Sequence, residues 1–132
     1  MWARLLVDEL CRLGVTTFCV APGSRSSPLS IAAAAHPRAR VVTCIDERSL
    51  GFYAVGFAKG RSRPAAVITS SGTAVANLLP AVVEASQSHT PVVVLTADRP
   101  AELRDTGEPT RPTHPLHMPW ATPPHPHTHL CI

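Results

Sequence analysis

Four short runs of apolar and β-branched residues, each followed by a turn and then by a helical pattern, confine this chain to one kind of architecture. They are Val15-Thr16-Thr17-Phe18-Cys19-Val20, Val41-Val42-Thr43-Cys44-Ile45, Ala65-Ala66-Val67-Ile68-Thr69 and Pro91-Val92-Val93-Val94-Leu95-Thr96. Runs this short and this apolar suit strands covered on both faces, and such strands are the parallel ones. Strand and helix in regular alternation predict an α/β fold, a parallel sheet flanked by helices.

The intervening segments carry helical spacing. Trp2, Leu6, Leu10 and Leu13 outline an opening amphipathic helix that Gly14 stops, and Leu29 to Ala35 a second that Pro37 stops. Leu50, Tyr53, Ala54 and Phe57 form the apolar face of a third, closed by Gly60. Val75, Leu78, Leu79 and Val82 mark a fourth, which Pro80 should kink.

The character changes after Gly107. Pro109, Pro112, Pro115, Pro119, Pro123, Pro124 and Pro126 break helices and ladders alike, with His114, His117, His125, His127 and His129 among them. Residues 1–107 are expected to form one partial domain and residues 108–132 a disordered tail. Imidazoles between prolines lack partners to orient them, so the tail is not read as a metal site.

With 132 residues, one domain is the ceiling. Hydrophobic residues make up 45% and charged residues 16%, enough apolar surface to offset chain entropy. The formal charge of +3 comes from arginines scattered among acids, which argues against a nucleic-acid surface. Cys11, Cys19, Cys44 and Cys131 form no CxxC pair, unlike a disulfide framework or a zinc site, and the chain reads as reduced and intracellular. No apolar run approaches the roughly 20 residues of a membrane span, and the N-terminus is unlike a signal or transit peptide.

Open α/β sheets bind ligands beyond the carboxyl ends of their strands, so those four ends carry the candidates. Pro22-Gly23-Ser24-Arg25 offers a close backbone approach and a guanidinium fork for an anion, although for this feature alone a solvated turn with a surface arginine is the better account. Asp46-Glu47-Arg48 puts two carboxylates at a helix start, where the helix dipole alone would favour them. Thr69 to Asn77 is small and hydroxyl-rich with exposed backbone N–H groups, and it is neither a Walker nor a Rossmann fingerprint. Asp98-Arg99 brings a second guanidinium to the same edge. The residues alone reach a small anionic metabolite and no further.

Taken together, APGSRSSPL, IDERSLGFYAVGFAKG, TSSGTAVANLLPAVVEA and LTADRPAELRDTG resemble the N-terminal pyrimidine-binding domain of the SEPHCHC synthase family, closest to its plant and algal form. The resemblance covers residues 2 to 107. It implies a thiamine-diphosphate enzyme, with Mg²⁺, that decarboxylates 2-oxoglutarate and adds the succinyl carbanion equivalent to isochorismate in menaquinone and phylloquinone synthesis.

The same resemblance implies the roles of individual residues. Glu47 is the glutamate that hydrogen-bonds the cofactor's pyrimidine and promotes its imino form. Ser24, Arg25 and Arg99 hold substrate carboxylates, and Pro22, Gly72, Thr73 and Asn77 line the pyrimidine pocket. The family's glutamine after the Asp105-Thr106-Gly107 turn is replaced here by Glu108-Pro109-Thr110. The Mg²⁺ and diphosphate ligands belong to later domains of the family, and its active sites lie between subunits of a homodimer or homotetramer. Little activity is therefore expected from this chain alone, and a plastid location is expected for the plant or algal form. The alternatives are a non-catalytic fragment that associates through an exposed half-interface, or the pyrimidine domain of an acetolactate-synthase-like relative.

Overall fold

The computed structural model describes residues 1–98; Arg99 and the segment 108–132 lie outside them. In chain order the elements are α1 (Trp2–Arg12), β1 (Thr17–Val20), α2 (Ser27–Ala35), β2 (Arg40–Thr43), α3 (Glu47–Arg61), β3 (Ala65–Thr69), α4 (Thr73–Asn77), α5 (Leu79–Gln87) and β4 (Val92–Thr96). The strands pair in parallel in the order β2-β1-β3-β4, and each lies on one of the four apolar runs. β1 and β3 are buried throughout, whereas β2 and β4, the edges among the described residues, are not fully covered.

Alternation along the strands sorts their side chains between two helical layers. Phe18, Val20, Ala66 and Ile68 meet Val7 and Cys11 of α1 and Ala32 and Ala33 of α2. Cys19, Ala65 and Val67 point the other way, onto Leu50 and Ala54 of α3 and onto Leu78.

Several helix faces differ from those the spacing predicts. In α1 the buried residues are Val7 and Cys11, while Trp2, Leu6 and Leu13 are 81%, 42% and 70% exposed. The helix carries two apolar stripes, and the slimmer one fits against the alanines of α2. Gly14, at φ +93°, stops it as expected. α2 ends at His36, held extended because Pro37 follows.

α3 continues through Gly60 and is closed by Ser62 in the left-handed conformation. Its buried stripe is Leu50, Gly51, Ala54, Val55 and Ala58, and Tyr53 faces solvent. The small residues let the helix approach the sheet and α5 more closely than an aromatic face could. The expected kinked fourth helix is two helices, α4 and α5, that meet at Leu78. Pro80 occupies the first turn of α5, where its missing N–H leaves no bond unmade, so the break precedes the proline.

Candidate functional site

The chain leaves β1 toward β2 on one side and leaves β3 toward β4 on the other, so the connections part between β1 and β3. Beyond the carboxyl ends of these two strands is the usual ligand crevice of an open α/β sheet. Here the two turns come together closely. A Cβ on Gly23 would stand 2.5 Å from Ser70 Cβ, which a larger residue could not tolerate without a backbone shift. Ser26 is wholly buried, and its hydroxyl donates to the Gly23 carbonyl at 3.1 Å, as Ser27 does at 3.2 Å. These bonds fix the turn onto the start of α2. Pro22 and Ser24 are exposed on it and Arg25 is half-buried.

At the end of β2 the two adjacent carboxylates divide their tasks. Asp46 caps α3, its Oδ1 accepting from Arg48 N at 2.8 Å and Ser49 N at 3.1 Å. The Arg48 guanidinium donates to Asp46 Oδ2 at 2.9 Å. That side-chain bond, then the backbone bonds, hold the Asp46 pKa down at about 2. With the helix start satisfied by Asp46, Glu47 is left for another partner. Asn77 Nδ2 donates to Glu47 Oε2 at 3.2 Å, joining the last residue of α4 to the first residue of α3. Glu47 is half-buried there.

The end of β3 supplies the third wall. Gly72 has φ +76° and ψ −129°, a conformation glycine adopts at least cost, and it starts α4. Thr73, the first residue of that helix, is exposed. Thr69 is fully buried, and its Oγ1 has no hydrogen-bond partner among the described residues. Strand alternation sends its side chain to the α3 layer, as with Val67. A buried hydroxyl without a protein partner is costly, and one at a strand end is suited to meet a polar ligand or water.

Of the residues singled out from sequence, Glu47 and Asn77 are in direct contact, and Gly72 and Thr73 open the short helix that Asn77 ends. Pro22, Ser24 and Arg25 occupy the adjoining turn. Arg99 lies outside the described residues. The Asp46–Arg48 clasp and the Gly23–Ser70 approach were not anticipated, and Thr69 was marked only as the start of a hydroxyl-rich turn; an aspartate just ahead of a helical run was the available sign for the first. A separate groove of about 420 Å³ runs beside β4 and is lined by Val55, Ala81, Ala85, His89 and Thr90. It is mostly apolar, also touches Gly51 and Leu78, and contains none of these carboxylates or guanidinium groups.

No helix among the described residues is long and apolar enough to cross a membrane. The chain is similar to known proteins in both sequence and structure. The family described as "Thiamine pyrophosphate enzyme, N-terminal TPP binding domain" matches residues 2–118. Protein PHYLLO, chloroplastic, of Arabidopsis thaliana is 62% identical over 107 residues, which are 81% of this chain and 6% of that protein. The 2-succinyl-5-enolpyruvyl-6-hydroxy-3-cyclohexene-1-carboxylate synthase of Rubrobacter xylanophilus is 61% identical over 107 residues, 81% of this chain and 19% of that enzyme. The chain thus spans less than a fifth of these relatives. In structure it resembles the Rhodococcus jostii RHA1 thiamine diphosphate-dependent 4-hydroxybenzoylformate decarboxylase, with a TM-score of 0.67 and 23% identity, over 76% of this chain and 19% of that one. At that identity the likeness concerns the fold, a parallel sheet between helices whose carboxyl edge carries Glu47 and Asn77. The chain belongs to the thiamine pyrophosphate enzymes, as an N-terminal TPP-binding domain.

Proposed function

We propose that this chain supplies the pyrimidine-binding part of a SEPHCHC synthase, the thiamine-diphosphate enzyme that joins a succinyl unit from 2-oxoglutarate to isochorismate. The observation that carries this reading is the Glu47–Asn77 pair at the carboxyl edge of the sheet. Its context is high identity to two proteins of the phylloquinone and menaquinone pathway.

The residues present fit the pyrimidine half of the cofactor. A half-buried carboxylate stands at this edge, Thr69 brings a buried hydroxyl without a partner among the described residues, Gly23 lets the two turns approach, and Gly72 takes the positive φ that starts α4. Bound thiamine diphosphate supplies a thiazolium C–H that, once deprotonated, furnishes a carbon nucleophile for 2-oxo acids. Glu47 shares a proton with a pyrimidine ring nitrogen. Because Oε2 accepts from Asn77, Oε1 would be the oxygen left for that nitrogen. Asn77 acts through Glu47, fixing its rotamer and keeping it an acceptor.

Pro22, Gly72 and Thr73 border the ring. Ser24, Arg25 and Arg99 meet the carboxylates of isochorismate, a task that favours the planar guanidinium fork. Mg²⁺ and the diphosphate are held by later domains of the complete enzyme, a homodimer or homotetramer. The chloroplastic relative supports a plastid location.

The test is a graft. Residues 2–107 replace the matching segment of the Rubrobacter enzyme, and isochorismate consumption is followed with and without 2-oxoglutarate. Turnover that depends on 2-oxoglutarate and is lost in Glu47→Gln is the expected result. A folded, cofactor-loaded graft with no turnover, or with turnover indifferent to Glu47→Gln, would refute the assignment.

A further inference from the structure

We propose that Ser70 is a positioning residue that sets acceptor specificity: its Cβ, seated on Gly23, fixes the height at which the β1 turn presents Ser24 and Arg25 to a carboxylate. This role rests on the acceptor reading of that turn and adds to it a residue from a different strand end.

Ser70 directly follows β3, and Gly23 stands two residues beyond Ala21, whose N–H reaches the Ile68 carbonyl at 2.9 Å where the β1–β3 ladder ends. Past that bond the turn is tied to its own helix. The Gly23 carbonyl accepts from the hydroxyls of Ser26 and Ser27, and the Ser24 carbonyl accepts from Ser27 N–H at 3.3 Å. Among the described residues no hydrogen bond crosses from residues 22–25 to the turn after β3. What meets β3 there is the contact of Gly23 with Ser70.

That contact, and not the backbone, explains a glycine at position 23. The described glycines with positive φ are Gly14 and Gly72, so Gly23 has a φ that residues with side chains also adopt. A Cβ at position 23 would meet Ser70 Cβ at 2.5 Å and Ser70 Oγ at 2.9 Å, whereas Ser26 Oγ stays at 3.4 Å. The two turns share room for one Cβ, and Ser70 supplies it. Carbon atoms rest about 3.5–4.0 Å apart, so a second Cβ pushes the turns apart by on the order of 1 Å. Arg25, two residues along, moves with the turn. A guanidinium–carboxylate pair depends on both distance and the plane of the fork, so recognition of an anionic acceptor follows the Gly23–Ser70 spacing.

The experiment uses the graft onto the Rubrobacter enzyme, with KM measured separately for isochorismate and 2-oxoglutarate. Gly23→Ala should raise the KM for isochorismate by about tenfold or more, the worth of one hydrogen bond to a charged group, and raise that for 2-oxoglutarate less. Adding Ser70→Gly moves the single Cβ from one turn to the other, and the double variant should recover most of the isochorismate KM. It also keeps the test decisive if Gly23→Ala alone does not fold. Ser70→Ala retains the Cβ and should raise the KM less than Gly23→Ala does. A double variant whose isochorismate KM stays high would overturn the proposal. So would a Ser70→Ala protein as impaired as Gly23→Ala, or a Gly23→Ala protein in which both KM values rise alike. A folded, cofactor-loaded parent graft without turnover refutes the proposed function and the role of Ser70 with it, whereas a working parent confines any failure to Ser70.

Discussion

Gly51 of α3 faces Ala81 of α5 so closely that a Cβ at position 51 would stand 2.7 Å from Ala81 Cβ and 3.3 Å from Leu78 Cδ2. Two effects oppose each other at this glycine. Replacing a helical glycine by alanine gains about 0.5–1 kcal/mol, whereas forcing a methyl into a packed contact costs about 1–3 kcal/mol. Ala81 Cβ is fixed to the backbone and cannot rotate away, so the packing cost prevails. Gly51→Ala is expected to lower stability in urea denaturation by about 1–2 kcal/mol. Adding Ala81→Gly should recover part of the loss, because the two sites are coupled. A more stable Gly51→Ala protein would contradict this.

The Glu47–Asn77 pair gives a prediction with two arms, measured in the graft onto the Rubrobacter enzyme. Glu47→Gln should lower kcat by about 10²–10⁴-fold, the usual worth of a positioned acid–base group. Asn77→Asp should be worse than Asn77→Ala, because it sets a second carboxylate against Glu47. Equal turnover for the two Asn77 variants would remove Asn77 from its positioning role.

Asp46 makes stability depend on acid. Its pKa is held at about 2 in the folded protein, against an ordinary value of 3.8. A depressed carboxyl stabilises the fold above its unfolded pKa, and that contribution fades as pH falls from about 4 to about 2. Asp46→Asn keeps an acceptor for the helix start but takes up no proton. Its melting temperature should therefore fall less steeply between pH 5 and pH 2 than that of the parent, and parallel curves would show that Asp46 does not contribute to the acid limb.

The cysteines should separate by reactivity. Cys19 is fully buried and its thiol is pushed up to about 11 by desolvation; Cys11 is also buried and also raised. Cys44 is partly accessible at the end of β2. Brief alkylation at neutral pH, mapped by mass spectrometry, should modify Cys44 well before Cys11 and Cys19. Early labelling of Cys19 would mean that the central sheet opens readily.

The strands were legible in sequence because Val67, Ile68 and their neighbours have few other ways to be buried, and parallel pairing follows from the helices between them. The helix faces were less so. Residues 1–13 carry two apolar stripes, and the choice of Val7 and Cys11 over Leu6 and Leu13 depends on the small alanines of α2. In α3 the inward side belongs to Gly51 and Ala58 rather than Tyr53, since contact distance rather than hydrophobicity decides it. At the site, spacing could not distinguish Asp46 from Glu47, because either carboxylate suits a helix start. In the structure Asp46 makes the capping bonds, while Glu47 is met by Asn77 from a separate helix.

The strand order β2-β1-β3-β4 bears on how the chain is made as well as on what it becomes. β1 is made before the other three described strands, yet it ends between two of them. Thr17 finds Arg40 first and must wait for Ala65 to complete its ladder. During that interval Phe18 has α1, α2 and β2 for shelter but not β3. Contacts that span so much sequence form slowly, and half-built sheets with open edges attract one another. Nascent chains halted before Ala65 should therefore engage chaperones, and those halted well past Thr69 should be released from them.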